Sequence, residues 1–284
     1  MITVKNMAYR YANSHKQAVA DLSFEVQPGE IFGFLGPSGA GKSTTQKILI
    51  SLLKDYSGEI SVFGKDLKQW DNSYYEQVGV SFELPNHFLK LTANENLRYY
   101  RSLYAGKTHN PQEILTWVGL EDDGDTLVSQ YSKGMKNRLS VARALLHNPQ
   151  LIFFDEPTAG LDPVNARNIK DIILEQKSAG KTVFLTTHDM QVADQLCDRV
   201  AFIVDGNIRL IDSPHKLKIA YQQPLLQVEY RKNDANQTKE FPMKGLHTNQ
   251  EFQEILKQNH LIAMHTMDAS LEDIFIKITG RSLS

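Results

Sequence analysis

The chain has 284 residues, of which 41% are hydrophobic and 23% charged, so it has enough apolar material for a folded core and a length typical of about two domains. Its 31 basic and 33 acidic residues give a net charge of −2, which argues against a protein that coats nucleic acid through bulk charge. The single cysteine, Cys197, excludes an internal disulfide and a CxxC metal site, and the absence of a run of about 18 uncharged apolar residues argues against a membrane span. We therefore expect a chain that folds in the cytosol, with Cys197 as a small buried hydrophobe.

The first 82 residues have a pattern rich in strands, because apolar residues alternate with polar ones or form short continuous runs. The predicted strands are 2–7, 19–26, 30–35, 59–63 and 78–82. The run 30–35 is almost entirely apolar, which is typical of a strand buried on both faces. A helix is predicted from Lys42 to about Leu53, followed by a turn at Ser57-Gly58.

The apolar spacing becomes helical from about residue 86 to residue 148. Three helices are predicted there: one through Leu91, Leu97 and Leu103, one at 114–118, and one through Leu139, Ala142 and Leu146. Strands are then predicted at 151–154, 182–186 and 199–204, with helices near 164–178 and 190–197. Alternation of strands and helices predicts a mostly parallel sheet covered by helices, with the segment 86–148 inserted as a helical subdomain.

The pattern changes again after Ser213-Pro214. Strands are predicted at 225–230 and 261–265, and helices near 252–256 and 271–279, the last one ending at Gly280 as a C-cap. The polar segment Lys232–Glu240 is predicted to be turn-like. We therefore predict a first domain at 1–214 and a small α+β appendage at 215–284.

Residues 36–43 read GPSGAGKS and match the phosphate-loop pattern G-x-x-x-x-G-K-[ST] between a predicted buried strand and a predicted helix. The glycines let backbone N–H groups turn inward around an anion, and the N-terminus of the helix adds its dipole. Lys42 is predicted to reach the β- and γ-phosphates of a nucleotide, and the Ser43 hydroxyl to ligate Mg²⁺. The predicted nucleotide-binding residues of this loop are Gly36, Pro37, Ser38, Gly39, Ala40, Gly41, Lys42, Ser43 and Thr44.

A second acidic site is predicted at 151–156, where LIFFDE is a buried strand that ends in two carboxylates. The carboxyl end of such a strand lies at the edge of the sheet where the phosphate loop also opens. Asp155 is predicted to be a Mg²⁺ partner, and Glu156 to be the base that polarises the attacking water.

Three further segments make the first 214 residues resemble the ATP-binding cassette (ABC) ATPases. They are the signature-like YSKGMKNRLSVARAL at 131–145, the D-loop-like TAGLD at 158–162, and TTHD around His188. The resemblance implies ATP hydrolysis with Mg²⁺ on a P-loop NTPase core with an antiparallel β subdomain. It also implies that Tyr11 stacks on adenine and that His188 is a catalytic switch histidine.

The family resemblance further implies that two cassettes pack head to tail and share two ATP molecules. Ser132 is predicted to cap the signature helix, and Gly134 to let its backbone approach the nucleotide of the partner subunit. Two positions depart from the family pattern. Glu83 stands where Gln is usual; its oxygen can still meet Mg²⁺ or a water, but its charge is expected to weaken binding or alter metal preference. Lys133 replaces the usual first glycine of the signature, where it either crowds the partner's nucleotide or helps to neutralise it.

The C-terminal segment SLEDIFIKITGR at 270–281 and Met135 in the signature resemble the ATPase subunits of type-2 bacterial ABC exporters, which handle drugs, peptides, antibiotics or polysaccharides. We therefore predict an ATP-hydrolysing export subunit held at the cytoplasmic face of the cell membrane by a separate permease, which docks near residues 83–104. A second ATPase subunit, either another copy or a paralogue, is the other expected partner, and no nucleic acid is expected. The alternatives are the ATPase of an ABC importer, a soluble ABC ATPase acting on ribosomes or DNA, and a P-loop kinase or GTPase, which would lack the signature.

Overall fold

The computed structural model describes residues 1–12, 14–222, 225–232, 235–258, 260–266 and 269–281. The strands are β1 (Ile2–Tyr9), β2 (Val19–Val26), β3 (Ile31–Leu35), β4 (Ser57–Val62), β5 (Lys65–Asp66), β6 (Val78–Ser81), β7 (Leu151–Asp155), β8 (Thr182–Thr187), β9 (Arg199–Val204), β10 (Asn207–Asp212), β11 (Leu225–Lys232), β12 (Ala235–Pro242) and β13 (His260–Thr266). The helices are α1 (Lys42–Leu49), α2 (Ala93–Arg101), α3 (Pro111–Trp117), α4 (Lys133–Leu145), α5 (Pro163–Ser178), α6 (Met190–Leu196), α7 (Pro214–Tyr221), α8 (Gln250–Gln258) and α9 (Leu271–Thr279).

A six-stranded sheet with the order β10-β9-β3-β8-β7-β6 forms the centre of the molecule. Its strands are parallel except for the antiparallel pair of β9 and β10. Every residue of β3, β7 and β8 is buried, which explains why the sequences of β3 and β7 are nearly continuous apolar runs. The prediction of a mostly parallel sheet is confirmed.

An antiparallel sheet with the order β2-β1-β4-β5 packs with α1 over one face of the central sheet. Phe24 of β2 stacks on Phe32 of β3 with the ring centroids 5.7 Å apart. The predicted turn at Ser57-Gly58 is wrong, because both residues belong to β4. Gly58 has φ +89°, and a Cβ there would lie 2.4 Å from the carbonyl oxygen of Asn6, so glycine permits close approach to β1 rather than a turn.

The helical subdomain, formed by α2, α3 and α4, packs on the other side of the molecule. A capping box between Thr92 and Glu95 starts α2, so Leu91 precedes the helix; Leu103 follows it and is 59% exposed. The predicted helix through these two leucines is therefore too long. Helix α1 likewise ends at Leu49, four residues before its predicted end, and Ser51 beyond it takes φ 60°.

The C-terminal part contributes to two different cores. The three-stranded sheet β12-β11-β13 and α8 enclose a small core of their own, formed by Val228, Tyr230, Phe241, Phe252 and Ile255. Helices α7 and α9 instead pack into the core of the ATPase part, where Phe275 meets Phe202 at 5.2 Å between centroids. Gly280 caps α9 in the left-handed conformation, as predicted. The division of the chain at residue 214 stays a prediction.

The prediction that Lys232–Glu240 is turn-like is wrong, because most of this segment belongs to β12, which pairs with β11 from Ala235 to Pro242. The strand lies at the edge of its sheet and is exposed at most positions, so its composition is polar. Cys197 is buried, as expected. Among the described residues, no helix has the length and apolar character that crossing a bilayer requires.

Candidate active site

A cavity of about 440 Å³ opens at the carboxyl ends of β3 and β7, beside the N-terminus of α1. It is lined by Tyr11, Ala18, Ser38, Gly39, Gly41, Lys42, Ser43, Thr44, Glu83, Asp155, Glu156 and His188. Residues from five separated segments of the chain therefore meet at one place. Of the predicted nucleotide-binding residues, Gly36, Pro37 and Ala40 lie in the same loop without lining the cavity, and Ser132 and Gly134 lie elsewhere.

The conformation of the phosphate loop depends on two glycines. Gly41 has φ +110°, and a Cβ there would lie 2.6 Å from the carbonyl oxygen of Ala18. A Cβ at Gly36 would lie 2.2 Å from the carbonyl oxygen of Ile203. The loop thus packs tightly against its neighbours on two sides, and a side chain at either glycine would displace it.

The Lys42 ammonium is folded across the loop. It donates hydrogen bonds to the carbonyl oxygens of Gly36 at 2.6 Å and Pro37 at 3.1 Å. Burial lowers the pKa of Lys42, while the negative charges of Glu156, Asp155 and Glu83 oppose that shift. The site therefore holds one cation among three carboxylates, an arrangement that suits binding of a polyanion together with a metal cation.

Asp155 lies at the end of β7 and is 8% exposed. The Thr186 hydroxyl on the neighbouring strand β8 donates a hydrogen bond to its carboxylate. Burial raises the pKa of Asp155, and the charges of Glu156 and Glu83 add to the increase, whereas the Thr186 hydrogen bond and Lys42 lower it. A buried carboxylate with hard oxygen atoms at this position is suited to Mg²⁺.

Glu156 is the residue after β7, is 6% exposed and has the left-handed backbone conformation, with φ 48°. Its Oε1 accepts a hydrogen bond from the His188 backbone N–H at 2.9 Å and lies 2.6 Å from Nδ1 of the same residue. Its Oε2 accepts from the Thr187 hydroxyl at 2.9 Å. Positive φ at a residue other than glycine costs about 1–3 kcal/mol and is concentrated at functional sites.

Tyr11 and Glu83 lie at the outer parts of the cavity. The Tyr11 ring is 39% exposed, meets Tyr9 edge-on at 5.0 Å and places its hydroxyl 3.2 Å from the Thr44 hydroxyl. An exposed ring beside the phosphate loop can stack on a planar base. Glu83 follows β6 and faces the same space as Lys42 and the two acidic residues.

The signature segment lines a different cavity, of about 380 Å³, which shares no lining residue with the first one. Ser132 caps α4 by accepting a hydrogen bond from the Met135 N–H at 3.1 Å. Lys133, Gly134 and Gly160 of the D-loop also line this second cavity. Within one chain, the signature and the phosphate loop therefore do not meet.

Thr186 and Thr187, which hold the two acidic residues, were not among the predicted site residues. Both end β8, which pairs in parallel register with β7, so that Thr186 lies opposite Asp155. The signal was present as two hydroxyl residues that end a buried strand, immediately before His188. Their role follows only once these two strands are known to be neighbours.

The sequence matches the family model of the ABC transporter over residues 19–159, and that of the fluoroquinolone efflux ABC transporter C-terminal domain over residues 225–268. A fluoroquinolones export ATP-binding protein of Mycobacterium tuberculosis (strain CDC 1551 / Oshkosh) is 54% identical over 285 residues, covering 100% of this chain and 95% of that protein. The chain belongs to the ABC transporter ATP-binding proteins. A more distant member, the bacitracin transport ATP-binding protein of Bacillus licheniformis, is 37% identical over 195 residues, covering 68% of this chain and 64% of that protein.

Solved structures of ABC ATPases have the same fold. A dimeric ATP-binding cassette in a post-hydrolysis state bound to ADP and Pi has a TM-score of 0.68 at 28% identity, covering 75% of this chain and 98% of that one. An ATP-binding subunit of an ABC transporter has a TM-score of 0.70 at 28% identity, covering 78% of this chain and 93% of that one. The predicted ABC ATPase fold and its transport-coupled ATPase activity are confirmed, as is the expected export branch. ABC cassettes bind ATP and dimerise, and the family implies a permease partner.

Proposed function

We propose that this ABC ATPase powers the efflux of fluoroquinolone-type drugs through a separate membrane permease, at whose cytoplasmic face it is bound. The observation that carries the proposal is the 54% identity to a fluoroquinolones export ATP-binding protein, which extends over the whole chain. It includes residues 225–268, the part that resembles the C-terminal domain of fluoroquinolone efflux transporters. The ATPase motifs are shared with transporters of many other substrates, so they do not indicate a substrate class. Residues 225–268 therefore carry the assignment to a class of drug.

The triphosphate of ATP would lie on the phosphate loop, where backbone N–H groups and the N-terminus of α1 face the cavity. Lys42 would exchange its bonds to two loop carbonyls for bonds to the β- and γ-phosphates. Tyr11 would stack on adenine, and Ser38, Gly39 and Thr44 would surround the phosphates.

The donor set also fits Mg²⁺. The Ser43 hydroxyl and the carboxylates of Asp155 and Glu83 line one cavity and offer the oxygen ligands that this cation prefers. In the described part of the chain, no group of three or more His, Cys, Asp or Glu residues is arranged to hold a metal ion. The cation would be held partly by the phosphates of ATP, whose negative charge it would neutralise.

Glu156 would accept the proton of the attacking water, and His188 would orient the Glu156 carboxylate. The support is geometric: both oxygens of Glu156 have partners, at 2.6–2.9 Å, that fix the side chain beside Asp155. A base held in this way needs little reorganisation when the water attacks.

The signature would act on the nucleotide of a second ATPase subunit. Ser132 and Gly134 line a cavity to which the phosphate loop of the same chain contributes no residue. A related cassette is a dimer with bound ADP and Pi. Two copies, or one copy and a paralogue, would each complete the other's site. Lys133 would lie at this contact, with its positive charge near the partner's phosphates.

The permease would dock on residues 83–104. Five large apolar side chains of this segment are substantially exposed: Leu84 at 76%, Phe88 at 45%, Leu89 at 51%, Tyr99 at 47% and Leu103 at 59%. Phe88 and Tyr99 meet edge-on, with centroids 4.9 Å apart, so they form a contiguous apolar surface. Such surfaces mark contacts with other proteins. Phe88 and Tyr99 both contact the ring of Tyr100, which lines a groove of about 290 Å³.

The experiment is purification of the tagged chain from membranes, identification of the bound permease, and measurement of ATP hydrolysis and fluoroquinolone efflux with the pair. We expect Lys42→Ala to abolish hydrolysis and efflux, because it removes the one cation among three carboxylates. Lys47→Ala is the matched control, since Lys47 is exposed on the same helix, and it should leave both activities unchanged. Undiminished hydrolysis in Lys42→Ala would refute the phosphate-loop assignment. Normal hydrolysis with efflux of a different substrate class would refute only the drug assignment.

A further inference from the structure

A polar side chain lies on the buried face of the helix that follows the phosphate loop. Gln46 of α1 is 1% exposed and faces the central sheet together with Ile48 and Leu49. Burying an amide in such surroundings is unfavourable unless it forms hydrogen bonds. The other buried residues of α1 are the apolar Ile48 and Leu49 and the polar Lys42 and Thr45, so the Gln46 amide needs a hydrogen-bond partner from another element.

That partner is Thr186 of β8, which is fully buried. Gln46 Oε1 lies 3.3 Å from Thr186 Oγ1, and the Thr186 hydroxyl donates a hydrogen bond to the Asp155 carboxylate. Among the described residues, Thr186 supplies the only hydrogen bond to that carboxylate. Gln46 and Thr186 are separated by 140 positions, so the fold and not a local motif brings them together.

The proton count sets the direction of this chain of contacts. A threonine hydroxyl has a single proton, and the contact with Asp155 uses it. The hydroxyl can then only accept from Gln46. Turning the Gln46 amide by 180° places Nε2, which otherwise has no partner, opposite Thr186 Oγ1. Gln46 then donates to Thr186, and Thr186 donates to Asp155, two bonds that strengthen each other in series.

We propose that Gln46 and Thr186 are positioning residues that hold the Asp155 carboxylate in the orientation needed for the metal cation. The proposal rests on the proposed role of Asp155 in holding Mg²⁺. One carboxylate oxygen is fixed by Thr186, and the second has no hydrogen bond in the described part of the chain. Residues that orient a metal ligand in this way typically change metal affinity by about 10- to 100-fold when replaced.

The test measures the Mg²⁺ dependence of binding of a fluorescent ATP analogue by the full chain. For each variant, the half-saturating Mg²⁺ concentration is compared with the affinity for the analogue in EDTA. We expect Thr186→Val to raise the half-saturating Mg²⁺ concentration about tenfold, and Gln46→Leu about threefold, with affinity in EDTA unchanged. Thr186→Ser keeps the donor and should restore the normal value. A purely structural role would shift binding in EDTA as well.

Thr182→Val is the matched control, because Thr182 is a fully buried threonine at the other end of β8 whose hydroxyl accepts from the Gly29 N–H at 2.9 Å. It should leave the Mg²⁺ dependence unchanged. Asp155→Asn separates the inference from the proposed function. If Asp155→Asn raises the half-saturating Mg²⁺ concentration and Thr186→Val does not, the positioning inference is overturned while the metal role of Asp155 stands. If neither variant raises the half-saturating Mg²⁺ concentration, both the positioning inference and the metal role of Asp155 are overturned.

Discussion

Glu156 combines three structural constraints in one residue. Its backbone has positive φ, its side chain is 6% exposed, and both carboxylate oxygens have partners. Positive φ has a conformational cost and burial has a desolvation cost, neither of which a solvent-exposed acid at a strand end would have; the hydrogen-bond partners offset the second cost. Retention of all three in a cavity beside Lys42 and Asp155 is best explained by a chemical role.

Replacing Glu156 by Gln should separate nucleotide binding from hydrolysis. The amide fills the same volume but cannot accept the proton of water, so we expect hydrolysis to fall by about 10²- to 10⁴-fold. ATP affinity should persist, because Lys42, Ser43 and Asp155 are unchanged. Steady-state hydrolysis and equilibrium ATP binding measure the two effects.

His188→Ala is the comparison, since it removes one donor to Glu156 but keeps the backbone N–H. Near-normal hydrolysis in Glu156→Gln together with an inactive His188→Ala would assign catalysis to His188 instead.

Glu83 allows a test of charge at the same site. It is one of three carboxylates whose charge acts on Lys42. Glu83→Gln keeps an oxygen ligand and removes one negative charge near the triphosphate, so Mg²⁺-ATP should bind about two- to fivefold more tightly, with hydrolysis retained. Glu229→Gln on β11 is a control outside the cavity. Loss of activity as complete as in Lys42→Ala would show that Glu83 has a catalytic role.

The phosphate loop and the acidic pair were predicted from linear motifs, and the parallel strands β3 and β7 bring these two motifs together. Tyr11, Glu83 and His188 were predicted from the family resemblance. Thr186 and Gln46 could not be predicted in the same way. Their contact depends on which strand lies next to β7 and on which face of α1 meets the sheet. Nothing in the local sequence of either residue specifies these two facts.

The elements were predictable where burial produced a strong pattern. Strands β3 and β7 are buried throughout and have almost continuous apolar sequences, whereas β12 lies at the edge of its sheet and has a polar sequence. The start of α2 was not predicted either, because the Thr92 capping box overrides the apolar spacing that includes Leu91. The amino-acid composition of an element therefore reflects how deeply the element is buried. An exposed element such as β12 lacks the apolar pattern from which a strand is predicted.

Two buried histidines hold the helical subdomain in place: His87 bonds within it, and His147 bonds to the central sheet. His87 Nε2 lies 2.9 Å from the Lys136 carbonyl oxygen of α4. His147 Nε2 lies 3.0 Å from the Val78 carbonyl oxygen of β6, and its ring stacks on Tyr104 at 3.9 Å. Nδ1 of both rings is buried without a partner. Both histidines are therefore suited to the neutral form.

Acid should destabilise the contacts of both histidines. Burial lowers the pKa of His87 and of His147 to about 4, from 6.5. Between these values the unfolded chain binds more protons than the folded one, so stability is present above pH 6.5 and is lost as the pH falls towards 4. At pH 5 the expected loss is on the order of 2 kcal/mol for each histidine. Urea unfolding at pH 7.5 and pH 5 measures it.

Substitutions at His87 and His147 test whether these two residues cause the loss of stability in acid. The double variant His87→Gln and His147→Gln keeps a side-chain donor at each position and should show a much smaller decrease in the free energy of unfolding between the two pH values. His265→Gln, at an exposed position of β13, should behave as the unmodified chain does. If the double variant and the unmodified chain lose the same free energy, the acid sensitivity arises elsewhere.

At the scale of the whole molecule, the decisive feature is the separation of two cavities. The phosphate loop and the acidic residues line one, and the signature and D-loop line the other. Ser132 and Gly134 contribute nothing to the nucleotide cavity of their own chain. A second ATPase subunit would give the signature a ligand, and a related cassette is a dimer bound to ADP and Pi.

Ser132→Arg should therefore prevent association without affecting ATP binding by the monomer. The arginine places a large side chain at the start of α4, whereas the nucleotide cavity lies elsewhere on the same subunit. In a Glu156→Gln background, ATP with Mg²⁺ should convert the chain to a dimer, because intact ATP favours the closed state for as long as it persists. Adding Ser132→Arg should leave a monomer by size-exclusion chromatography, with ATP affinity unchanged.

Ser213→Arg is the matched control, since Ser213 caps α7 in the same manner, and it should still permit the dimer. Dimers that form equally well with Ser132→Arg, or hydrolysis per subunit that is unchanged by Ser132→Arg alone, would mean that the signature does not act across two subunits.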